Sequence, residues 1–297
     1  MISKKITINL EKKDDIFHLE PLSDIHVGHM GFDKELYKKR VRSITNSDNR
    51  YTLFLGDQFD AITTYDKRFN PDMSLIHDVD NQRELWQKLS NPLLKDHISR
   101  LTEYEGEEEV WDEQARKSIY QTKKMWRVKK GMNEKVWGLL HGNHEYNIRE
   151  ATRAYLENTM CTPNGLTFLG SRAVIGLEVR HNNKILKQWL ISAIHGSGGG
   201  KPEPQMEKQR RNHYMDVFIS GHLHQKRYTP TGAVGFDFKT GLATKIGVHS
   251  INAGTFCDAL IEGKDGYMDR KAEAEHTMLG TATLTFNAEQ DKITGHV

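Results

Sequence analysis

The segment VWGLLHGNHEYN, residues 136 to 147, joins an apolar run to a group of polar residues. The run at 136–140 is short and apolar, which favours a buried β-strand. Two histidines, an asparagine and a glutamate lie within the next five residues, 141–145. Side chains that follow a buried strand lie at the sheet edge where open α/β sheets bind their ligands. We therefore expect a functional site at this position.

The same arrangement occurs at four other places in the chain. Each is an apolar run that ends in Gly, His, Asp or Asn, and the four are IFHLEPLSDIHVGH (16–29), YTLFLGDQFD (51–60), WLISAIHG (189–196) and DVFISGHLH (216–224). We predict that all five runs are strands of one α/β sheet whose carboxyl ends converge. Their polar residues would then meet in space.

Helices are predicted between the motifs. The segments 33–46 and 147–158 follow the first and third motifs, and Asn147 is a suitable N-cap for the second of these helices. After residue 224, short alternating apolar runs with Gly and Asn turns predict a β-rich tail.

The long interval 61–135 is interpreted as a helical insertion within a single domain that spans 1–297. One helix is predicted near 81–101, where leucines recur at four-residue spacing. A second helix is predicted at 112–130, and Gly131 would end it.

The composition excludes several classes of protein. The chain has 297 residues, with 37% hydrophobic and 28% charged residues and a formal net charge of +2. That charge is too small to indicate a nucleic-acid partner by itself. The two cysteines form neither a disulfide framework nor a thiolate metal site. No signal peptide or membrane-spanning run is recognisable, so a cytoplasmic protein without a membrane role is expected.

The residue types in the motifs favour metal chemistry. Asp, His and Asn side chains provide oxygen and nitrogen ligands without sulfur, which suits Mn²⁺, Fe, Zn²⁺ or Mg²⁺. Two such ions ~3.5–4 Å apart clamp a phosphate and hold a hydroxide for in-line attack. One carboxylate would then have to bridge both ions.

The ordered set DIHVGH, GDQFD, GNHE, a later HG and finally GHLH resembles the calcineurin-like metallophosphoesterase family. The match spans residues 24–224, about two thirds of the chain. The resemblance implies an α/β fold in which a sandwich of two β-sheets is flanked by helices, with two divalent ions, most simply Mn²⁺. It also implies seven ligands: Asp24, His26 and His224 for the first ion, Asn143, His195 and His222 for the second, and Asp57 as the bridge.

The resemblance also implies catalytic roles within GNHE. The histidine of this motif lies over the phosphate in the family and acts as general acid or transition-state stabiliser, which here is His144. We expect the adjacent Glu145 to hydrogen-bond that imidazole and to set its tautomer. No substrate-binding residue or oligomeric state is assigned from the sequence.

The motif details favour a phosphodiesterase, with a nuclease as the leading specific case. GNHE is the form found in protein phosphatases, but GDQFD lacks the arginine of their GDxxDRG motif, and GHLH is the phosphodiesterase and nuclease form. A phosphomonoesterase acting on proteins or small molecules is the alternative enzyme. A non-catalytic binding scaffold of the same fold is the alternative of another class.

Other polar residues near the motifs carry weaker expectations. His29 and His141 are expected either to reach the phosphate or to be structural, and Asp60 is expected to point away from the metals. The segment GSGGGKP (196–202) lacks the pattern of a phosphate loop. We interpret it as a loop beside the site, in which Lys201 is a candidate for contact with a phosphate.

The insertion is expected to influence the choice of substrate. Its segment EYEGEEEVWDE (103–113) is acidic, whereas KKMWRVKK (123–130) is basic and contains Trp126. One interpretation is that the basic segment binds a nucleic-acid backbone while Trp126 stacks on a base. The other interpretations are that the two segments pair their charges at the surface, cover the site as a cap or pack against another subunit.

Overall fold

The computed structural model describes residues 2–62, 71–112, 114–152, 156–197, 207, 210, 214–237, 241–258, 261 and 278–297. Over these residues the chain is a mixed α/β protein with several sheets and few helices. None of the described helices is long and apolar enough to cross a membrane.

The strands account for most of the ordered elements. In chain order they are β1 (Ile2–Leu10), β2 (Ile16–Leu22), β3 (Arg50–Phe54), β4 (Leu101–Asp112), β5 (Lys117–Val128), β6 (Val136–Leu139), β7 (Arg172–His181), β8 (Lys184–Ile194), β9 (Val217–Ser220), β10 (Arg227–Asp237), β11 (Leu242–Asn252), β12 (Gly254–Thr255), β13 (Gly280–Thr281), β14 (Thr283–Asn287) and β15 (Lys292–His296). The α-helices are α1 (Lys34–Thr45), α2 (Val79–Ser99) and α3 (Asn143–Thr152). Shorter helical turns cover Pro71–Met73, Glu157–Cys161 and Thr162–Asn164.

Two mixed sheets form the body of the protein. The five-stranded sheet has the order β15-β14-β2-β3-β6, in which β2, β3 and β6 are parallel. The six-stranded sheet has the order β1-β7-β8-β9-β11-β10, in which β8, β9 and β11 are parallel. The prediction of a single sheet was wrong. The strands β2, β3 and β6 belong to the five-stranded sheet, whereas β8 and β9 belong to the six-stranded sheet. The predicted β-rich tail is confirmed by β10 to β15.

One apolar core lies between the two sheets. Phe17, Leu53 and Trp137 of the five-stranded sheet belong to the same buried cluster as Ile175 and Ile191 of the six-stranded sheet. Alternate side chains of a strand point to opposite faces, so each sheet contributes one face to this core.

The helices pack against the other face of the five-stranded sheet. A second buried cluster joins Tyr37 and Val41 of α1 to Trp86 and Leu93 of α2 and to Phe54 of β3. The prediction of a helix at 33–46 is confirmed, with Asp33 accepting the Leu36 N–H at 2.9 Å as N-cap. The helix predicted near 81–101 is α2, which starts two residues earlier.

The helix predicted after the third motif begins earlier in the chain than expected. It was expected at 147–158 with Asn147 as its cap, but α3 begins at Asn143 and includes the motif itself. The Tyr146 N–H already bonds to the Gly142 carbonyl at 3.1 Å, so the helical turn forms directly after β6.

The insertion 61–135 is helical only in its first half. The helix predicted at 112–130 was wrong, because β4 and β5 form an antiparallel hairpin with twelve paired positions from Leu101↔Val128 to Asp112↔Lys117. Lys124 pairs with Glu103 at 2.8 Å across the hairpin, and Lys123 pairs with Glu108 at 2.8 Å. The acidic and basic segments therefore pair with each other across the two strands.

Candidate metal centre

All seven predicted ligand residues lie at the carboxyl ends of five strands. Asp24 and His26 follow β2, Asp57 follows β3, Asn143 follows β6, His195 follows β8, and His222 and His224 follow β9. The ends of β2, β3 and β6 in one sheet meet the ends of β8 and β9 in the other. Residues far apart in the chain thus form one buried group of carboxylates and imidazoles that could hold a metal ion.

The first set of ligand atoms surrounds a carboxylate oxygen of Asp24. His224 Nε2 lies 3.3 Å from Asp24 Oδ1, and His26 Nε2 lies 4.0 Å from the same oxygen. The two imidazole nitrogens are 3.2 Å apart. One ligand atom from each of these three residues lies within 4.8 Å of the others.

The second set of ligand atoms surrounds Asp57. His195 Nε2 lies 3.1 Å from Asp57 Oδ2 and 3.2 Å from Asn143 Oδ1. Asp24, Asp57, His195 and His222 form one group within 4.8 Å, and Asp57 also groups with His26 and His144. Both carboxylates therefore lie between the two sets, whereas the sequence assigned the shared position to Asp57 alone.

The backbone at these positions is held in an uncommon conformation. Five of the seven residues have positive φ, with values of 51° at Asp24, 51° at His26, 53° at Asp57, 71° at His222 and 58° at His224. The left-handed region is sparsely populated by residues other than glycine and costs free energy that the surrounding structure must supply. This clustering of strain at one place is typical of a functional site.

Two glycines allow the strand ends to approach closely. A Cβ atom on Gly142 would collide with the Asp57 carboxylate, and one on Gly221 would collide with the Ser23 hydroxyl. Ser23 donates a hydrogen bond to Asp24 Oδ2, and the His222 N–H donates to the same oxygen at 2.8 Å. The glycines of GNHE and GHLH are therefore needed for packing around the carboxylates.

The electrostatics favour a cation at this position. Burial opposes ionisation of Asp57, but the charges of His195 and His144 hold its pKa well below the usual value. Burial likewise opposes ionisation of Asp24, and the charges of His195 and His224 lower its pKa. Burial also acts to lower the pKa of His195, but Asp57 and Asp24 raise it to about 10. The two carboxylates thus stay ionised and attract positive charge.

One carboxylate oxygen has an unsatisfied position. Within the described part of the chain, the buried Asp24 Oδ1 accepts no well-aligned hydrogen bond, and its nearest imidazole nitrogen, His224 Nε2, lies 3.3 Å away. A buried ionised oxygen without a donor is costly. A divalent cation held by oxygen and nitrogen ligands would satisfy it. The residues therefore fit the metal that the sequence predicts.

The imidazole of His144 is oriented by the loop that follows β3. Its Nδ1 contacts the backbone carbonyl of Asp60, and its backbone N–H donates to Asp57 Oδ1 at 3.0 Å. Nε2 lies on the side of the metal ligands, 3.9 Å from Asp57 Oδ2. Because a carbonyl oxygen can only accept, this contact places a proton on Nδ1.

The expected role of Glu145 was wrong. Its carboxylate accepts backbone N–H bonds from Asp57 and Gly142 at 2.9 Å, from Gln58 at 2.6 Å and from Phe59 at 3.3 Å. Burial, together with the charge of Asp57, raises its pKa to about 7. Glu145 therefore braces the loop that carries Asp57, and the Asp60 carbonyl takes the place that the sequence assigned to it beside His144.

Of two residues beside the candidate ligands, Asp60 lies as expected and Ser23 was missed from the sequence. The Asp60 carboxylate lies 3.8 Å from His26 Nδ1, behind a ligand, which agrees with the expectation that it points away from the metals. Its spacing three residues after Asp57 was the available signal. Ser23 was missed, although it directly precedes Asp24.

The weaker candidates are distributed around the centre. His29 Nδ1 accepts the Gly31 N–H at 3.0 Å and lies 3.1 Å from Cys257 Sγ, so the ring is fixed by its own loop. His141 stacks on neighbouring aromatic rings. Lys201 and most of 196–202 lie outside the described residues. Trp126 packs near Gly165 at the base of the hairpin and is partly buried.

Neither a protein-family model nor a curated protein sequence matches the chain.

Proposed function

We propose that the protein is a two-metal phosphoesterase that hydrolyses phosphodiester bonds. The observation that supports this most strongly is the pair of ligand sets around Asp24 and Asp57 in one buried group. Each set offers carboxylate oxygen and imidazole nitrogen, which is the donor chemistry that Mn²⁺, Fe, Zn²⁺ and Mg²⁺ accept.

The proposed ligand sets follow the two groups of side chains. Asp24, His26 and His224 would hold one ion, and Asn143, His195 and His222 would hold the other, with Asp57 shared between them. Two such ions polarise a phosphoryl group and provide a nucleophile at neutral pH.

The remaining chemistry belongs to the side chains of the chain. His144 is held with Nδ1 on the Asp60 carbonyl, so the opposite nitrogen, Nε2, is the one available to the substrate. When the ring carries a second proton, on Nε2, we assign this N–H the donation of its proton or of a hydrogen bond to the departing oxygen. Glu145 and Asp60 keep the loop of Asp57 and the ring of His144 in place.

The arrangement of the sheets agrees with the calcineurin-like metallophosphoesterase sandwich that the motifs resemble. Two sheets enclose one core, and helices pack on the outer face of the five-stranded sheet. We propose that the chain has this fold. The preference for diesters rests on GHLH and on the absence of the GDxxDRG arginine.

Hydrolysis of bis(p-nitrophenyl) phosphate beside p-nitrophenyl phosphate tests the proposal. Metal-stripped protein is assayed before and after addition of Mn²⁺, with His144→Ala as the catalytic variant. We expect Mn²⁺-dependent turnover with a clear preference for the diester, and a fall in kcat of about 10²- to 10⁴-fold in the variant, the range for loss of a general acid.

The other outcomes separate the alternatives. Preference for the monoester would indicate a phosphomonoesterase. Absence of metal-dependent turnover with both substrates would leave either an enzyme with a narrow substrate or the binding scaffold.

A further inference from the structure

Three aromatic rings form a row beside the candidate metal centre. The ring of His141 is stacked on Tyr146, with 5.7 Å between centroids and 22° between planes. The same imidazole is stacked on Phe168 at 5.9 Å and 22°. These distances and angles are those of offset-stacked pairs. The three residues are called the aromatic row below.

The backbone fixes the aromatic row on the protein. Phe168 pairs with Leu139 in a parallel bridge and packs on the cluster beneath the helices. The His141 N–H donates to the Gly170 carbonyl at 3.1 Å. Tyr146 lies on α3. The backbone of all three residues is therefore fixed by regular structure or by hydrogen bonds.

The aromatic row lies next to the ligand residues. His141 is two residues before Asn143, whose Oδ1 lies 3.2 Å from His195 Nε2. Tyr146 is three residues after Asn143 on the same helix, and residues at this spacing lie on one face at about 5–6 Å between Cβ atoms. The Tyr146 side chain therefore lies about one helical turn from the metal ligands.

The outer end of the row is accessible to solvent. Tyr146 is 42% exposed, whereas His141 and Phe168 are partly buried. An exposed tyrosine ring whose plane is already set by stacking offers a flat surface at little cost in side-chain entropy.

We propose that the aromatic row is a platform on which a nucleobase of the substrate stacks, while the adjacent phosphodiester occupies the metal centre. The proposal deepens the proposed function and rests on it, since it names the substrate class as nucleotides or single-stranded nucleic acid. Bases stack on aromatic side chains without needing a particular sequence.

The platform would provide the base stacking that one interpretation of the sequence assigned to Trp126. That indole is partly buried near Gly165, and the neighbouring lysines pair with Glu103 and Glu108 of β4. The aromatic row, by contrast, adjoins the residues proposed to act on the phosphate.

A pair of matched substrates tests the platform. One is thymidine 5′-(p-nitrophenyl phosphate), and the other is its abasic deoxyribose counterpart, so that the two share the leaving group and differ only in the base. The variants are Tyr146→Ala, Tyr146→Phe and, as a control, Tyr120→Ala on the hairpin, where Tyr120 is 69% exposed.

We expect Tyr146→Ala to lower kcat/KM for the thymidine substrate on the order of tenfold, mainly through KM, since base stacking on an aromatic ring is of this strength. The kcat/KM for the thymidine substrate relative to that for the abasic substrate should fall in Tyr146→Ala, be retained in Tyr146→Phe because that variant keeps the ring, and be unchanged in Tyr120→Ala. Equal effects of Tyr146→Ala on both substrates, or no effect on either, would overturn the platform.

Equilibrium binding separates failure of the platform from failure of the proposed reaction. Calorimetry with adenosine 5′-monophosphate and ribose 5-phosphate measures the preference for a base without any turnover. We expect the wild type to prefer the nucleotide and Tyr146→Ala to lose the preference. A wild type that turns over neither substrate but retains this preference would reject the reaction and keep the platform. Absence of the preference in the wild type would reject the platform.

Discussion

Adjacency in sequence gave the wrong role to one residue of GNHE. Consecutive residues of a helix point in different directions and do not face each other. Glu145 follows His144 directly on α3, so the two side chains diverge. The carboxylate instead reaches the backbone of the loop after β3, which sequence reasoning could not locate because the loop lies 86 to 88 residues away.

The brace formed by Glu145 predicts a stability effect. Glu145→Gln replaces one acceptor oxygen by a donor. Depending on which oxygen is replaced, the N–H groups of Asp57 and Gly142 or those of Gln58 and Phe59 lose their acceptor. We expect the free energy of unfolding to fall by about 1–3 kcal/mol, as measured by urea denaturation of the metal-free protein. Unchanged stability combined with lost turnover would instead place Glu145 in the chemistry.

The left-handed backbone of five ligand residues could not be foreseen from residue types alone. Aspartate and histidine tolerate this region better than most residues do, but they adopt it here because the turns after β2, β3 and β9 are closed by other parts of the chain. The Asp24 carbonyl, for example, accepts the Phe256 N–H at 3.1 Å and the Thr255 hydroxyl at 2.7 Å.

At the scale of elements, local signals predicted α1 and α2 and failed for the hairpin. Asp33 and Asp78 each accept an N–H in the first turn of the helix that follows, and this capping chemistry is readable in sequence. In 112–130 the apolar residues also fit a helical period. The better signal was the cross-strand pair Val110↔Ile119 and the run of complementary charges on either side of a turn.

A buried histidine of α2 predicts a pH-dependent stability. His97 Nε2 donates to the Gly165 carbonyl at 3.1 Å, and Nδ1 accepts the Val136 N–H at 3.2 Å, so only the neutral ring satisfies both contacts. Burial lowers its pKa from 6.5 to about 4. The unfolded chain therefore binds more protons between these values, and the stabilisation is lost as the pH falls from about 6.5 towards 4.

We expect this histidine to reduce the free energy of unfolding by about 2 kcal/mol between pH 7 and pH 5. Urea denaturation of the wild type and His97→Gln at both pH values measures it, and the stability advantage of the wild type should shrink by that amount at pH 5. An advantage that does not change with pH would show that the ring is not held neutral.

At the scale of the whole molecule, the sequence predicted the members of the centre better than its architecture. The motifs were recognisable because each polar group follows an apolar run, and the structure brings all seven residues together. The division of the strands into two sheets was not readable from the five runs. Pairing partners such as β7 and β11 are separated from them by turns and loops, and an apolar run does not specify its neighbour.

Each of the two ligand sets can be disrupted separately by substitution, because each contains histidines that the other lacks. His224 belongs to one set and His195 to the other, so each substitution should remove one site while the second is retained in weakened form with the shared Asp57. His296, an exposed histidine of the last strand, provides a matched control.

The most direct measurement is the number of Mn²⁺ ions bound per chain, determined by equilibrium dialysis and elemental analysis of metal-stripped protein. The account predicts two ions for the wild type and for His296→Ala, and a single ion for His224→Ala and for His195→Ala at the same free Mn²⁺ concentration. A wild type that binds no ion, or variants that bind as many ions as the wild type does, would contradict the two-metal centre.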